Sequence, residues 1–226
     1  MPGRDITFVN NGIYHVFNKT TDKSKIFTDR QHASLFLELL KYYRSTKSNI
    51  RYSHFKELES EMVEYYKKQI LIKKFHQVEI YCFCIMPTHF HLLLKQKLKN
   101  GVSHFMSQVL NSFTRYYNIK YEHSGQVFLS PFRAVVVGTF EQFIHVSRYI
   151  HLNLYSSGLI SDINVLFSYP YSSMSRYLNN KKDELIEKSF LLKMFNKNPF
   201  RYKEFVLNNA EYQKSLERFK YAEKWI

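Results

Sequence analysis

The chain has 226 residues, of which 45% are hydrophobic and 17% aromatic. This excludes a disordered chain and predicts either one globular domain with appendages or one large and one small domain, because a domain of ~150 residues buries about 70% of its unfolded surface without metals or disulfides. Lys and Arg number 33 against 19 Asp and Glu, a net charge of +14. That surplus predicts an acidic partner, with nucleic acid favoured over a basic surface that serves solubility alone.

The first half of the chain predicts one strand and two helical stretches. Residues 11–18 are rich in β-branched and aromatic residues, which predicts a strand. An amphipathic helix is expected to begin near Asp29, because apolar side chains recur at helical spacing from Phe36 to Tyr43. Residues 53–75 show a second helical pattern with mixed charge, which predicts a helical insertion with a solvated face.

Two strands are predicted next, at residues 77–85 and 87–96, with a sharp bend or tight hairpin at the Met-Pro pair between them. The first of these strands holds the only two cysteines, Cys82 and Cys84. Because they are two residues apart, they share a face and are predicted to be small core residues. A single C-x-C pair is weak evidence for a metal site.

The rest of the predicted domain is a helix, a strand and another helix. Residues 100–125 read as a helix that closes at a glycine, and residues 126–137 as a strand in which Pro131 indicates an edge position or a bulge. Thr139 begins a capping box for the second helix, and Gly158 is suited to end it.

This element order predicts an α+β fold, a ferredoxin-like or RRM-like antiparallel sheet with helices packed on one side. We expect residues 1–178 to form this domain and residues 179–226 to form a basic helical carboxy-terminal extension. No stretch approaches the ~18 apolar residues of a membrane span, and no signal-peptide layout is seen, so a cytoplasmic protein is expected.

The stretch MPTHFHLLLK places two histidines in the predicted strand 87–96. Residues two apart in a strand share a face, so His89 and His91 point the same way while Phe90 enters the core. Two adjacent imidazoles can bind one divalent cation when a third ligand arrives from elsewhere. The alternative is that both are surface residues or hydrogen-bonded filler.

MPTHFHLLL resembles the signature of HUH-type tyrosine transposases, in particular the REP-associated and insertion-sequence group with a single tyrosine. In that group a strand carrying His, a hydrophobic residue and His follows a Met-Pro turn. Four further stretches look like that family's landmarks, in its order: GIYHVFNKT, SGQVFLSPFRAVVV, SRYIHLNLYSSGLI and SYPYSSMSRYL. The resemblance spans roughly residues 10–178.

The resemblance implies that one tyrosine attacks single-stranded DNA, becomes linked to the 5′ phosphate and leaves a free 3′ hydroxyl. Matching the family's Tyr-Ile-x-x-Asn-Pro helix to RYIHLNLYSSG puts this nucleophile at Tyr149. Asn153 lies four residues on, on the same helical face. If the helix crosses the sheet, the Asn153 carboxamide oxygen completes an Mg²⁺ or Mn²⁺ site with His89 and His91.

His145 lies one turn before Tyr149 on the same stripe, and is expected either to support the site or to be exposed to solvent or DNA. Leu154 stands where the family has proline, so the helix is expected to run on for another turn.

The partner implied by the resemblance is single-stranded DNA that carries a hairpin, and both a monomer and a homodimer remain open. The protein is then expected at the nucleoid when it is bound to DNA. Basic side chains would contact phosphates and exposed aromatic rings would stack on unpaired bases. The basic candidates are Lys95, Lys97, Lys99, Arg133 and Arg148.

Two other functions are compatible with the same residues. A non-catalytic, domesticated protein of this fold would bind a nucleic-acid hairpin and keep the histidines as relics. A metal-dependent nuclease would activate water instead of the tyrosine. Replacing Tyr149 with Phe separates the transposase from the nuclease, because only the transposase needs the phenolic oxygen.

Overall fold

The centre of the molecule is a four-stranded antiparallel sheet in a computed structural model that describes residues 6–179 and 182–222. The strands are β1 (Ile13–Lys19), β2 (Val78–Met86), β3 (His89–Gln96) and β4 (Arg133–Val136), in the spatial order β2-β3-β1-β4. With helices following β1 and β3, this is the ferredoxin-like arrangement. The predicted α+β class is therefore confirmed.

The helices of the described residues surround this sheet. They are α1 (Arg30–Tyr43), α2 (Tyr52–Glu57), α3 (Ser60–Ile70), α4 (Gly101–Lys120), α5 (Phe140–Ser156), α6 (Met174–Leu178), α7 (Lys188–Lys193), α8 (Pro199–Leu207) and α9 (Ala210–Ala222). None of the helices within residues 6–179 and 182–222 is long and apolar enough to cross a membrane.

Helices α1 and α4 pack together on one face of the sheet, above an aromatic core. The helix predicted near Asp29 begins there, since the Asp29 carboxylate accepts a hydrogen bond from the Gln31 N–H at 2.7 Å. Phe36 of α1 then packs on Phe90 of β3, with 4.8 Å between the ring centroids. Both rings are fully buried. This face therefore holds the sheet in place.

Helix α5 lies on the opposite face, so helices cover both sides of the sheet and not one side as predicted. Thr139 caps its start by accepting a hydrogen bond from the Gln142 N–H at 3.1 Å. Beyond its end Gly158 adopts a positive φ of 75°, which glycine tolerates without strain. The Thr139 cap and the terminal glycine are thus confirmed. The Gln142 side chain does not complete the capping box on Thr139, because it accepts a hydrogen bond from the Gly138 N–H at 2.8 Å instead. With Leu154 in place of proline the helix continues to Ser156.

Two predicted helical stretches have different bounds in the structure. The helical stretch 53–75 is two helices, because Leu58 and Glu59 have extended backbones with ψ of 154° and 151°. The helix predicted over 100–125 ends at Lys120, where the backbone leaves the helical region at the next residue.

The strand predicted over 126–137 pairs only along β4, at the edge of the sheet. Before β4, the chain is tied to β1 by single contacts: the Leu129 N–H donates to the Lys19 carbonyl at 2.9 Å, and the Asn18 side chain donates to the Leu129 carbonyl at 2.8 Å. Regular pairing starts only at Arg133, opposite Phe17.

Cys82 and Cys84 are free thiols on β2 with no solvent exposure. They pair with Leu93 and His91 of β3, so they share the face that α5 covers. Burial raises the pKa of both thiols. Their predicted role as small core residues is confirmed.

The described part of the carboxy-terminal extension packs on α5 and on the outer edge of β2. A buried hydrogen-bond network joins these parts at His151, which has no solvent exposure. Its Nδ1 lies 2.7 Å from the Tyr202 hydroxyl of α8, and its Nε2 lies 2.7 Å from the Ser173 hydroxyl. Ser173 in turn accepts a hydrogen bond from the Phe83 N–H of β2 at 2.9 Å. The network links α5 to both the sheet and the extension.

The predicted division at residues 178 and 179 stays a prediction. The helices of residues 182–222 contribute Leu191, Tyr202 and Val206 to the same hydrophobic cluster as the sheet. Residues 1–5 of the predicted domain, and residues 180, 181 and 223–226 of the extension, lie outside the described residues.

We expect acid to destabilise the fold, in part through His151. Burial lowers the pKa of His151 to about 3, against an ordinary value near 6.5 in the unfolded chain. Above pH of about 6.5 the ring is neutral in both states and pH has no effect. Between the two values only the unfolded chain binds the proton, so the unfolding free energy falls as pH falls, by up to about 1.4 kcal/mol per pH unit.

His151→Gln tests this, because glutamine keeps hydrogen-bonding groups and cannot titrate. Urea unfolding between about pH 7 and pH 4 measures the unfolding free energy. Its slope against pH should be smaller in the variant than in the wild type, by an amount that corresponds to the uptake of up to one proton on unfolding. His54→Gln is the control, since it makes the same substitution at an exposed residue. Equal slopes for wild type and His151→Gln would contradict the assignment.

Candidate active site

The two histidines of MPTHFHLLLK lie on the face of the sheet that α5 covers. Their ring centroids are 5.1 Å apart, and Phe90 between them points into the aromatic core on the other face. The hairpin turn that precedes them is Pro87-Thr88, since Met86 still belongs to β2. The Thr88 hydroxyl lies 3.0 Å from Nδ1 of His89. The turn thus contacts the first imidazole directly.

Tyr149 projects from α5 onto the second histidine. Its ring centroid lies 5.8 Å from that of His91, and the two rings are almost perpendicular, at 88°. The backbone at this position is held from the other side, because the Gln213 side chain of α9 donates a hydrogen bond to the Tyr149 carbonyl at 3.1 Å. The structure therefore brings the predicted nucleophile and the predicted ligand together within one chain.

A third histidine, His15 of β1, completes this group and was not among the predicted site residues. Its Nε2 lies 2.9 Å from Nδ1 of His91, and its ring centroid lies 5.8 Å from that of Tyr149. Phe17 packs on both imidazoles, at 5.0 Å from His15 and 5.7 Å from His91. The alternation His-Val-Phe-Asn-Lys in GIYHVFNKT was a signal that His15, Phe17 and Lys19 share a face.

The two facing imidazoles are neutral. Burial lowers the pKa of His15 to about 4. Burial is the main cause that holds the pKa of His91 well below its ordinary value. Repulsion from the protonated forms of His15 and His89, and from the Lys19 ammonium, lowers this pKa further. A neutral imidazole keeps one nitrogen lone pair, which is the form that binds a metal ion.

Positive charge lies at the open side of the same face. Lys19 pairs with His89 across the sheet, and Arg133 pairs with Phe17, the same residue that pairs with His91. Directly opposed residues of antiparallel strands point to one face. Both basic side chains are exposed. Lys19 and Arg133 therefore lie on the same face as the histidines, where their positive charges would attract an anion such as a phosphate.

Asn153 supplies the remaining candidate ligand. In the described part of the chain, no group of three or more His, Cys, Asp or Glu side chains is placed to hold a metal ion. Asn153 follows Tyr149 by one helical turn and is 5% exposed, and its Nδ2 has no hydrogen-bond partner. The carboxamide is thus not held by other groups and can turn to present its oxygen, a ligand that suits Mg²⁺ and Mn²⁺. The donor set fits such an ion.

Comparison with known proteins assigns the chain. The model of the family described as transposase IS200 like matches residues 38–153, just over half of the chain, and this match includes both histidines, Tyr149 and Asn153. The chain belongs to the IS200-like transposase family. Its place is therefore in DNA transposition, the cutting and transfer of DNA.

A solved structure agrees on the fold of this transposase. A REP-associated tyrosine transposase bound to a REP hairpin is 11% identical, with a TM-score of 0.54, and the match covers 83% of this chain and 94% of that one. A structure from Deinococcus radiodurans R1 is 13% identical over 66% of this chain and 95% of that one, with a TM-score of only 0.35. No curated protein matches the chain significantly.

The basic residues predicted from the sequence do not all lie near the histidines of the transposase. Lys95 lies near the other end of β3, about 13 Å along the strand from His91, and Lys97 and Lys99 come after the strand has ended. Lys97 makes an ion pair with Glu79 at 3.4 Å. DNA contact at this end of the sheet stays a prediction.

His145 and Arg148 lie on the side of α5 that faces α8. The Arg148 guanidinium donates to Nδ1 of His145 at 2.7 Å and stacks on the Phe205 ring, 4.4 Å from its centroid. His145 also lies 3.9 Å from the Glu141 carboxylate. The structure does not bring His145 to the histidine pair, and its exposed position agrees with the alternative of a solvent-facing or DNA-facing residue.

We expect Lys19→Ala to weaken single-stranded DNA binding more than Lys99→Ala, because Lys19 lies beside His89 and Lys99 follows the far end of β3. The logarithm of the binding constant falls linearly with the logarithm of the salt concentration. Loss of one phosphate contact makes this slope less negative by about 0.7 on a single strand. Fluorescence anisotropy over a salt titration measures both slopes. A larger loss in Lys99→Ala would place the phosphate path at the far end of the sheet.

Proposed function

We propose that this transposase nicks and rejoins single-stranded DNA at hairpin-bearing ends, through a covalent 5′-phosphotyrosine intermediate on Tyr149. The observation that carries the proposal is the packing of the Tyr149 ring on His91 and His15, with 5.8 Å between ring centroids in each case. The phenol ring thus packs on two buried imidazoles, one of them a proposed metal ligand, on the face of the sheet that also carries Lys19 and Arg133. These are the groups that a phosphoryl-transfer site needs.

The proposed reaction exchanges one phosphate ester for another. The phenolic oxygen of Tyr149 attacks the phosphorus, the bond from phosphorus to the 3′ oxygen breaks, and the phenolic proton is balanced by the proton of the new 3′ hydroxyl. Because the tyrosine–phosphate linkage conserves the ester, a 3′ hydroxyl can later attack it and rejoin the strand. Water is not consumed, which separates strand transfer from hydrolysis.

The residues that would hold a divalent ion are His89, His91 and Asn153. The amide oxygen is a ligand type that suits Mg²⁺ and Mn²⁺, and the two imidazole nitrogens would complete the set, with the remaining positions open to water and phosphate oxygens. When bound, such an ion polarises a phosphoryl oxygen and offsets the negative charge that develops in the transition state. The chain's own contribution is to keep the imidazoles neutral and the phenol beside them.

The proposed substrate follows from charge and from the solved relative. The relative of similar fold was captured on a REP hairpin. This chain carries a net charge of +14, and Lys19 and Arg133 are exposed beside the site. These observations support a DNA substrate that carries a hairpin, and we propose that the strand cut by Tyr149 is single-stranded.

We further infer that the site acts in cis. Tyr149, His15 and His91 belong to one chain, and the hydrogen bond from Gln213 to the Tyr149 carbonyl comes from that chain as well. A homodimer is then not needed to assemble the site.

The decisive experiment is a denaturing gel. Purified protein is mixed with end-labelled single-stranded hairpin oligonucleotides, with Mg²⁺ or with EDTA. We expect a metal-dependent protein–DNA band that survives SDS in the wild type, and its complete loss in Tyr149→Phe and His91→Ala, because the first lacks the nucleophile and the second a metal ligand.

Tyr155→Phe is the matched control for the nucleophile. It makes the same change on the same helix, but the Tyr155 hydroxyl donates to Glu211 of α9 and not to the site. This variant should keep the band. Cleavage that persists in Tyr149→Phe would show a water-using nuclease, and binding of several hairpins without any cleavage by the wild type would show a non-catalytic hairpin-binding protein.

A further inference from the structure

The hydrogen bond between His15 and His91 has a consequence for metal binding. The two nitrogens, Nε2 of His15 and Nδ1 of His91, are 2.9 Å apart, and the rings are nearly parallel, with 25° between their planes. His15 and His91 are 76 residues apart in sequence, and their contact joins the neighbouring strands β1 and β3. His15 is 9% exposed and His91 is 7% exposed, so solvent has little access to either ring.

Between two neutral imidazoles, one nitrogen donates and the other accepts, and this allows two proton arrangements. In the first, Nδ1–H of His91 donates to Nε2 of His15, and the lone pair of His91 is on Nε2. In the second, Nε2–H of His15 donates to Nδ1 of His91, and Nε2 of His91 carries a proton. Only the first arrangement leaves Nε2 of His91 able to bind a metal ion.

We propose that His15 is a positioning residue for the metal site: it accepts the Nδ1–H of His91 and so holds His91 in the tautomer whose Nε2 is a ligand. The inference rests on the metal site of the proposed function. Metal-binding histidines generally donate their second ring N–H to a fixed acceptor, which sets the tautomer and raises the basicity of the ligand nitrogen. Here that acceptor is a second imidazole.

The geometry separates this role from that of a direct ligand. Nε2 of His15 faces Nδ1 of His91 and not the side of the ring where Nε2 of His91 lies. The nitrogen of His91 that His15 contacts is Nδ1, and not Nε2. His15 therefore stands behind the ligand and not beside the ion.

A purely structural role is the competing explanation. Phe17 contacts both rings, and a histidine at position 15 fills space under α5 as well as donating or accepting. The two explanations predict different metal affinities when position 15 carries a ring without nitrogen. His15→Phe keeps the ring and its packing and removes the acceptor, whereas His15→Gln keeps an acceptor oxygen and loses the ring.

Mn²⁺ titration followed by electron paramagnetic resonance measures the affinity without relying on catalysis. We expect the Kd of His15→Phe to rise about 10- to 100-fold, the usual effect of removing such a partner. His15→Gln should recover most of the affinity. His76→Phe is the matched control, since His76 is also buried but precedes β2, at the opposite end of the sheet from His89. It should bind Mn²⁺ as the wild type does.

Nitrogen-15 NMR of the metal-free wild type provides a second readout that does not depend on any variant folding. The proposal requires the proton of His91 on Nδ1. A proton on Nε2 would overturn it, and so would a His15→Phe variant with unchanged Kd. If the wild type binds no Mn²⁺, or binds it equally well in His91→Ala, the metal site of the proposed function fails together with this inference.

Discussion

The site depends on the two-residue period of β3. Phe90 and His91 are neighbours in the chain, yet Phe90 packs on Phe36 beneath α1, and His91 meets Tyr149 of α5 on the other side. A slip of the strand by one residue would exchange both sets, placing imidazoles in the aromatic core and a phenylalanine in the site. Close packing on the Phe90 face resists that slip. The interactions that stabilise the fold therefore also define where the histidines point.

The second requirement is that α5 remains on the histidine face. Two residues beyond Tyr149, His151 joins the helix to Ser173 and so to β2, and to Tyr202 of α8. Gln213 of α9 adds the hydrogen bond to the Tyr149 carbonyl. Because buried hydrogen bonds are costly to break without replacement, these contacts oppose tilting or release of the helix. The carboxy-terminal helices thus contribute to the placement of the phenol, although they lie outside the region that the family model matches.

Local signals in the sequence predicted the features that depend on neighbours in the chain. The alternation around His89 and His91, the caps of α5 and the four-residue spacing of Tyr149 and Asn153 are all of this kind. Cross-strand register is not, because no local pattern indicates that β1 lies beside β3. The role of His15 therefore needed the structure, although its alternation with Lys19 was visible. The lysines in 95–99 were chosen by closeness in sequence, and the direction of β3 carries them away from the site.

In the proposed site, metal ligation and positive charge belong to different residues, and burial explains the division. A protonated imidazole has no free lone pair, so there His91 could bind a metal ion, and His15 could accept its N–H, only while both are neutral, and burial holds their pKa values low. A lysine or arginine in their place would lose its charge or destabilise the fold. Lys19 and Arg133 instead lie at the exposed side of the same face, where a charge keeps its hydration and still reaches a phosphate. Exchanging the buried histidines with the exposed lysine and arginine would impair both groups. The cations therefore lie at the exposed side of this face, and the neutral nitrogens lie beneath α5.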